Sequence, residues 1–191
     1  PAKLFMKKII LASKSPRRKE LLELLDVEFS VEIREVDELY SEDLNKKDVA
    51  EYLANLKADS FIKVGKDQLI ITADTIVLVE GKILGKPKNK NEAFRMLSSL
   101  SNKSHDVITG VCIKTSNKST SFSTSTKVFF KALSSAEIEY YIDTYKPFDK
   151  AGSYGIQEWI GAIGISKIEG SYYNVVGLPI HELNKELKSF L

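Results

Sequence analysis

The stretch Leu69 to Val79, LIITADTIVLV, constrains the fold more than any other part of the chain. Almost every residue in it is apolar on both alternating faces, the pattern of a strand covered on two sides. Strands and helices are mixed through the rest of the chain, so the expected class is α/β. Asp74 interrupts the apolar run. An unpaired carboxylate there would cost on the order of several kcal/mol. A cation, a hydrogen-bond network or an opening of the strand into a cleft must offset that cost, which makes Asp74 a functional candidate. Thr75 beside it is either a ligand contact or a plain β-branched strand residue.

A second informative stretch is Ile9 to Leu25, IILASKSPRRKELLELL. It reads as a buried strand, a small-residue turn and a helix. Ser15 is a natural N-cap, Pro16 suits the first helical position, and Leu21, Leu22 and Leu25 supply an apolar face. Arg17 and Arg18 fall in the first turn, where the helix dipole already supplies positive charge. Two cations there either reach into solvent or hold a bound anion, and a helix N-terminus after a strand is a good phosphate seat. Ser13 to Arg18 is therefore a candidate phosphate site.

Further along, Glu28 to Val36 alternates as a half-buried strand and runs into the acidic residues Glu35, Asp37, Glu38, Glu42 and Asp43. A solvated loop accounts for most of these, with Asp37 and Glu38 as candidate ligands of Mg²⁺ or Mn²⁺. Lys46 to Val64 reads as a helix stopped by Gly65, with Lys57 snorkelling at the edge of its inner face. Glu80-Gly81 turns the chain into a short strand, Lys82 to Leu84. Lys86, between Gly85 and Pro87, is a weak candidate phosphate contact. Asn91 to Leu100 reads as a helix, and His105 to Lys114 and Ser119 to Ala132 as two long antiparallel strands, whose Ser/Thr-rich segment TSNKSTSFSTST fits an exposed hairpin. His105 has no second ligand at a metal spacing and reads as a surface or core histidine. Ser134 and Glu137 form a capping box for a helix to about Tyr145. Asp149 to Gln157, DKAGSYGIQ, is a small-residue loop that lets a ligand approach the backbone, and Gln157 can read a base edge. Ile160 to Ile168 is strand-like, Gly170 to Asn174 a turn, and Pro179 opens a last helix docked by Ile180, Leu183 and Leu187, with Phe190 or Leu191 completing that face.

The chain of 191 residues suits one large domain or two small lobes, with an ample core. A net charge of +2 gives no support for stable nucleic-acid binding. The single Cys112 excludes an internal disulfide and a cysteine-based zinc site. No apolar run approaches the roughly 20 residues needed to span a membrane. PAKLFMKK lacks the apolar core of a signal peptide, so a cytoplasmic location is expected, with Met6 as an alternative start. No repeat, linker or clean domain boundary is visible.

Five motifs in order, LASKSPRR (Leu11 to Arg18), ADTIV (Ala73 to Val77), GKP (Gly85 to Pro87), DKAGSYGIQ (Asp149 to Gln157) and GSYYNVVGLP (Gly170 to Pro179), resemble those of the Maf family of nucleoside triphosphate pyrophosphatases. The resemblance covers nearly the whole chain. It implies an elongated α/β fold, related to the inosine triphosphate pyrophosphatases, with a mixed central sheet flanked by helices and two lobes around a cleft. It implies cleavage of a nucleoside triphosphate to monophosphate and pyrophosphate with a divalent cation, Mg²⁺ or Mn²⁺, limiting incorporation of non-standard nucleotides. ADT with AGSYGIQ looks like the branch acting on dTTP and UTP, with modified pyrimidine nucleotides as further candidate substrates. In that branch the residue corresponding to Asp74 is the assigned proton acceptor, and those corresponding to Arg17, Thr75 and Gln157 govern substrate choice. Glu38, Lys57 and Lys86 fall where the family has polar active-site residues. Lys14 departs from a glycine common in the first loop. Many members are homodimers, although no interface signal stands out in this chain.

The expected site is thus Asp74 as proton acceptor or metal ligand, Glu38 as second metal ligand, and Ser13, Ser15, Arg17, Arg18, Lys57, Thr75, Lys86 and Gln157 as substrate contacts. A carboxylate near its ordinary pKa is a weak base at neutral pH, so ligation of a metal that acidifies water is an equal alternative for Asp74. The rival reading is a nucleotide-binding regulator of cell division with little turnover.

Overall fold

A computed structural model of the chain describes residues 7–190; the reading of the N-terminus around Met6 and the docking of Leu191 lie outside them. In chain order the elements are β1 (Lys8–Leu11), α1 (Pro16–Glu23), β2 (Phe29–Val31), α2 (Val49–Asp59), β3 (Gln68–Val79), β4 (Lys82–Leu84), α3 (Lys90–Leu100), β5 (Ser104–Lys114), β6 (Ser119–Phe130), α4 (Ser135–Tyr145), α5 (Trp159–Gly164), β7 (Ile165–Glu169), α6 (Tyr172–Val176) and α7 (Ile180–Leu187). Seven strands form one mixed sheet in the order β2-β1-β3-β5-β6-β7, with β4 paired to β3. β1 runs parallel to both β2 and β3, and the crossovers this requires carry α1 and α2. β4 and β7 pair antiparallel with β3 and β6.

The described residues fall into two compact units. The first holds residues 7–74, Thr109–Thr124 and 177–190; the second holds Thr75–Ile108 and Ser125–Val176. In the first unit, Ile10, Phe61 and Ile70 make one apolar cluster, and Ala54, Ala58 and Cys112 another. Thr72, buried on β3, donates to the Ala54 carbonyl at 2.6 Å, so its hydroxyl is satisfied. Gly110 lets α2 lie directly on β5, since a Cβ there would stand 2.3 Å from the Ala50 backbone. In the second unit, Val77, Leu97, Leu100, Val107, Phe130 and Ile142 belong to a larger core.

Several boundaries differ from the sequence expectations, each for a local reason. The expected strand from Glu28 shrinks to Phe29–Val31, and Ile33 is exposed. Its partner β1 ends at Leu11, whose carbonyl takes a last hydrogen bond from Glu32, so nothing remains to pair with. The helix expected to reach Val64 ends at Asp59. There the Ser60 hydroxyl donates back to the Lys57 carbonyl, and Phe61 turns into the cluster with Ile10 and Ile70. The first half of the strand-like run Ile160 to Ile168 is helical. Gly161 packs against the Ile156 carbonyl, which a Cβ would meet at 1.8 Å, and donates its N–H to Glu158. The expected turn at Gly170 to Asn174 contains the start of α6, opened by a hydrogen bond from the Asn174 N–H to the Ser171 hydroxyl. The capping box of Ser134 and Glu137 is formed, and Lys146 ends α4 in the left-handed conformation just before Pro147.

Candidate functional site

In the first unit the turn after β1 arranges Ser13 and Ser15 around the start of α1. The Ser13 hydroxyl accepts the Ser15 N–H at 3.2 Å. Ser15 caps the helix by accepting the Arg18 N–H at 3.4 Å, with Pro16 in the first turn. No acidic residue stands in that turn to neutralise the dipole. Arg18 does not reach freely into solvent. Its Nε donates to the Gly177 carbonyl at 2.8 Å and its Nη1 to the Ser13 hydroxyl at 3.5 Å. Gly177 has φ of 139°, a conformation that favours glycine, and this aims its carbonyl at the guanidinium. Burial lowers the Arg18 pKa first; Asp74 and Glu38 draw it back up, and Arg17 lowers it further. Arg17 is half-buried.

Asp74 is buried on β3, as the apolar run predicts. The cation that offsets its cost is Lys57, from the last turn of α2, whose Nζ donates to Asp74 Oδ1 at 2.8 Å. The same ammonium lies 3.2 Å from Glu38 Oε1 and 3.3 Å from the Ala73 carbonyl. The expectation of a snorkelling lysine is therefore overturned: the pull of two carboxylates outweighs solvation of the head group. Glu38 comes from the exposed loop after β2. Lys14, the departure in the first loop, pairs with Glu35 of that same loop.

In the second unit Thr75 follows on β3 and is half-buried. Lys86 is exposed, but its neighbour Pro87 is buried, and the Gly85 carbonyl accepts the Gly152 N–H at 3.1 Å. That bond ties the GKP segment to the DKAGSYGIQ loop. Gly152 and Ser153 both take left-handed backbone, with φ of 70° and 67°, and Ser153 is buried. Gln157 is exposed and lines a groove of about 380 Å³ with Ile156, Ile165, Ile168 and Tyr172.

His105 is a core histidine. Its Nε2 lies 2.5 Å from the Tyr154 hydroxyl, its ring stacks on Phe130, and burial lowers its pKa to about 4. Sequence reasoning missed Tyr141, Lys150 and Glu158, which join in one polar cluster beneath the Gln157 loop. Lys150 and Glu158 flank that loop as charged residues in a small-residue stretch, a signal that could have been used. Nothing in the sequence singles out Tyr141. No group of three or more His, Cys, Asp and Glu side chains capable of holding a metal occurs among the described residues. Glu38 and Asp74 nevertheless converge on the Lys57 ammonium, and their carboxylate oxygens are hard donors of the kind that Mg²⁺ or Mn²⁺ takes.

The model of the Maf-like protein family matches residues 8–190. The dTTP/UTP pyrophosphatase of Christiangramia forsetii is 52% identical over 184 residues, 96% of this chain and 94% of the relative. The dTTP/UTP pyrophosphatase of Bacteroides thetaiotaomicron is 52% identical over 182 residues, 94% of each. Among solved structures, the Staphylococcus aureus Ham1 protein superposes with a TM-score of 0.57 over 97% of this chain and 100% of that one. At 14% identity it shares the fold alone. Family match, relatives and fold agree, and the chain belongs to the Maf family.

Proposed function

We propose that the protein is a nucleoside triphosphate pyrophosphatase that hydrolyses dTTP and UTP to the monophosphate and pyrophosphate. The observation that carries this reading is the cluster of Asp74, Lys57, Glu38 and Arg18 within the first unit. A buried carboxylate and an exposed one beside fixed cations at a strand-to-helix anion seat suit phosphate chemistry better than a structural role. The relatives' substrates supply the choice of pyrimidine nucleotides.

In this mechanism the N-terminus of α1, with Ser13 and Ser15, receives phosphate oxygens, and Arg17 and Arg18 neutralise their charge. Thr75, Lys86 and Gln157 are the substrate contacts assigned to the second unit, with Gln157 reading the base. Asp74 accepts the proton of the attacking water as its oxygen bonds to the α-phosphorus. The bond from that phosphorus to the bridging oxygen breaks, and pyrophosphate leaves. Lys57 holds the Asp74 carboxylate in orientation for this step through its hydrogen bond to Oδ1. A Mg²⁺ or Mn²⁺ held by Glu38 and Asp74 would supply Lewis-acid stabilisation of the phosphates. In the second assignment Asp74 would serve as a metal ligand only and not as the base.

The test is pyrophosphate release from a full panel of nucleoside triphosphates, with and without Mg²⁺. Release from dTTP and UTP above the other nucleotides is expected. Tight nucleotide binding without pyrophosphate release would overturn the reading in favour of a regulator.

A further inference from the structure

Three titratable side chains fasten the loop that carries Gln157 and take no part in the reaction above. Tyr141, fully buried on α4, accepts the Gly155 N–H at 3.0 Å and donates its hydroxyl to Glu158 Oε1 at 2.8 Å. The same Oε1 lies 3.5 Å from Lys150 Nζ, which also donates to Asp149 Oδ1 at 3.0 Å. The Lys150 and Glu158 side chains are only 12% and 20% exposed, so this ion pair closes the two ends of the loop largely out of water. Burial raises the Tyr141 pKa far above neutrality, and its hydroxyl stays a donor across the working range of pH.

Gly155 sits inside this ring. A Cβ on it would stand 2.6 Å from Glu158 Oε1, 3.0 Å from Lys150 Cε and 3.2 Å from Gln157 Nε2. The amide of Gln157 therefore lies over the Gly155 backbone, and that backbone is pinned through its N–H to Tyr141. An amide reads a pyrimidine edge with a donor on one side and an acceptor on the other, so its rotation decides which base it matches. A site built to hydrogen-bond one base loses preference when its polar group is turned away, without losing the phosphate contacts that bind every nucleotide.

We infer that Glu158, clamped by Tyr141 and Lys150, is the positioning residue that orients the Gln157 amide and thereby sets base discrimination. The inference rests on the pyrophosphatase reading. Its test compares UTP and CTP by kcat/KM in wild type, Glu158→Gln, Tyr141→Phe, Gln157→Ala and the Glu158→Gln/Gln157→Ala double variant. Glu158→Gln keeps the shape and an acceptor for Tyr141 but removes the charge facing Lys150.

A preference for UTP over CTP reduced about fivefold to tenfold is expected in the Glu158→Gln and Tyr141→Phe variants. The double variant should show the same preference as Gln157→Ala alone, because the two act in series. A merely structural role would lower both activities together and leave their ratio intact. An unmoved ratio in folded Glu158→Gln, or effects that multiply in the double variant, would overturn the inference; if Tyr141→Phe does not fold, Glu158→Gln decides. Wild-type protein that releases no pyrophosphate from any nucleotide overturns the function reading itself. Wild-type turnover with an unmoved ratio overturns only the role of Glu158.

Discussion

The two units each contain a lysine shared between a shielded and an exposed carboxylate. In the first, Lys57 meets Asp74 at 2.8 Å and Glu38 at 3.2 Å, and the Asp74 side chain is 12% exposed. In the second, Lys150 meets Asp149 at 3.0 Å and Glu158 at 3.5 Å, and the Glu158 side chain is 20% exposed. The inventories nearly match, yet the surroundings differ. Asp74 and Glu38 share their field with Arg18 and Arg17 at a helix N-terminus. Glu158 is met by a neutral hydroxyl, that of Tyr141, and packs beneath a loop. A carboxylate–lysine pair in a field of further cations is prepared for an anionic ligand. The same pair closed by a neutral donor fastens backbone. Residue type alone does not separate the two; the neighbouring charges do.

Substitutions in either unit separate the two lysine–carboxylate pairs. The largest effect is expected from Asp74→Asn, which keeps shape but removes the proposed proton acceptor. Turnover of UTP should fall about 10³-fold while calorimetry still detects nucleotide binding, and near-wild-type turnover would end the assignment. Next in size, Lys57→Met leaves Asp74 buried without its cation. A loss of about 3–5 kcal/mol in denaturant unfolding is expected, partly recovered when Asp74→Asn is added. No recovery in the double variant would show that Lys57 does not act through Asp74.

In the second unit, Tyr141→Phe removes the hydroxyl that both accepts from Gly155 and donates to Glu158. Unfolding should cost about 1–3 kcal/mol less than in wild type, the range for stranding buried polar partners. The smallest effect concerns His105. Its folded pKa of about 4 lies below the ordinary value of 6.5, so below pH 6.5 the unfolded chain binds the extra proton. Stability from this group is fully present above pH 6.5 and falls as pH drops toward 4. At a pH one unit below the ordinary value the loss is about 1 kcal/mol, and denaturant midpoints of His105→Gln should lack that slope.

Much of the local structure is legible in the sequence because its causes lie within a few residues. Ser15 and Pro16 start α1, Ser134 and Glu137 close a capping box, and Glu80-Gly81 turns β3 into β4. The errors share a cause as well. The alternation from Glu28 to Val36 predicts a longer strand than exists, since strand length depends on how far β1 runs beside it. Ile160 to Ile168 carries apolar residues suited to either period, and contact between Gly161 and Ile156 selects the helix for its first half.

By itself the sequence determines that Asp74 is a carboxylate inside a strand covered on both faces, and that two arginines open α1. Those facts follow from the order of apolar and charged residues. Only the tertiary structure decides which groups answer these charges. Lys57 reaches Asp74 from another element, the Gly177 carbonyl comes from the far end of the chain to hold Arg18, and Tyr141 reaches across to Gly155 and Glu158. Pairings of this kind depend on how helices seat on the sheet and where loops return. Those placements are set by packing of the whole core, which no local pattern records.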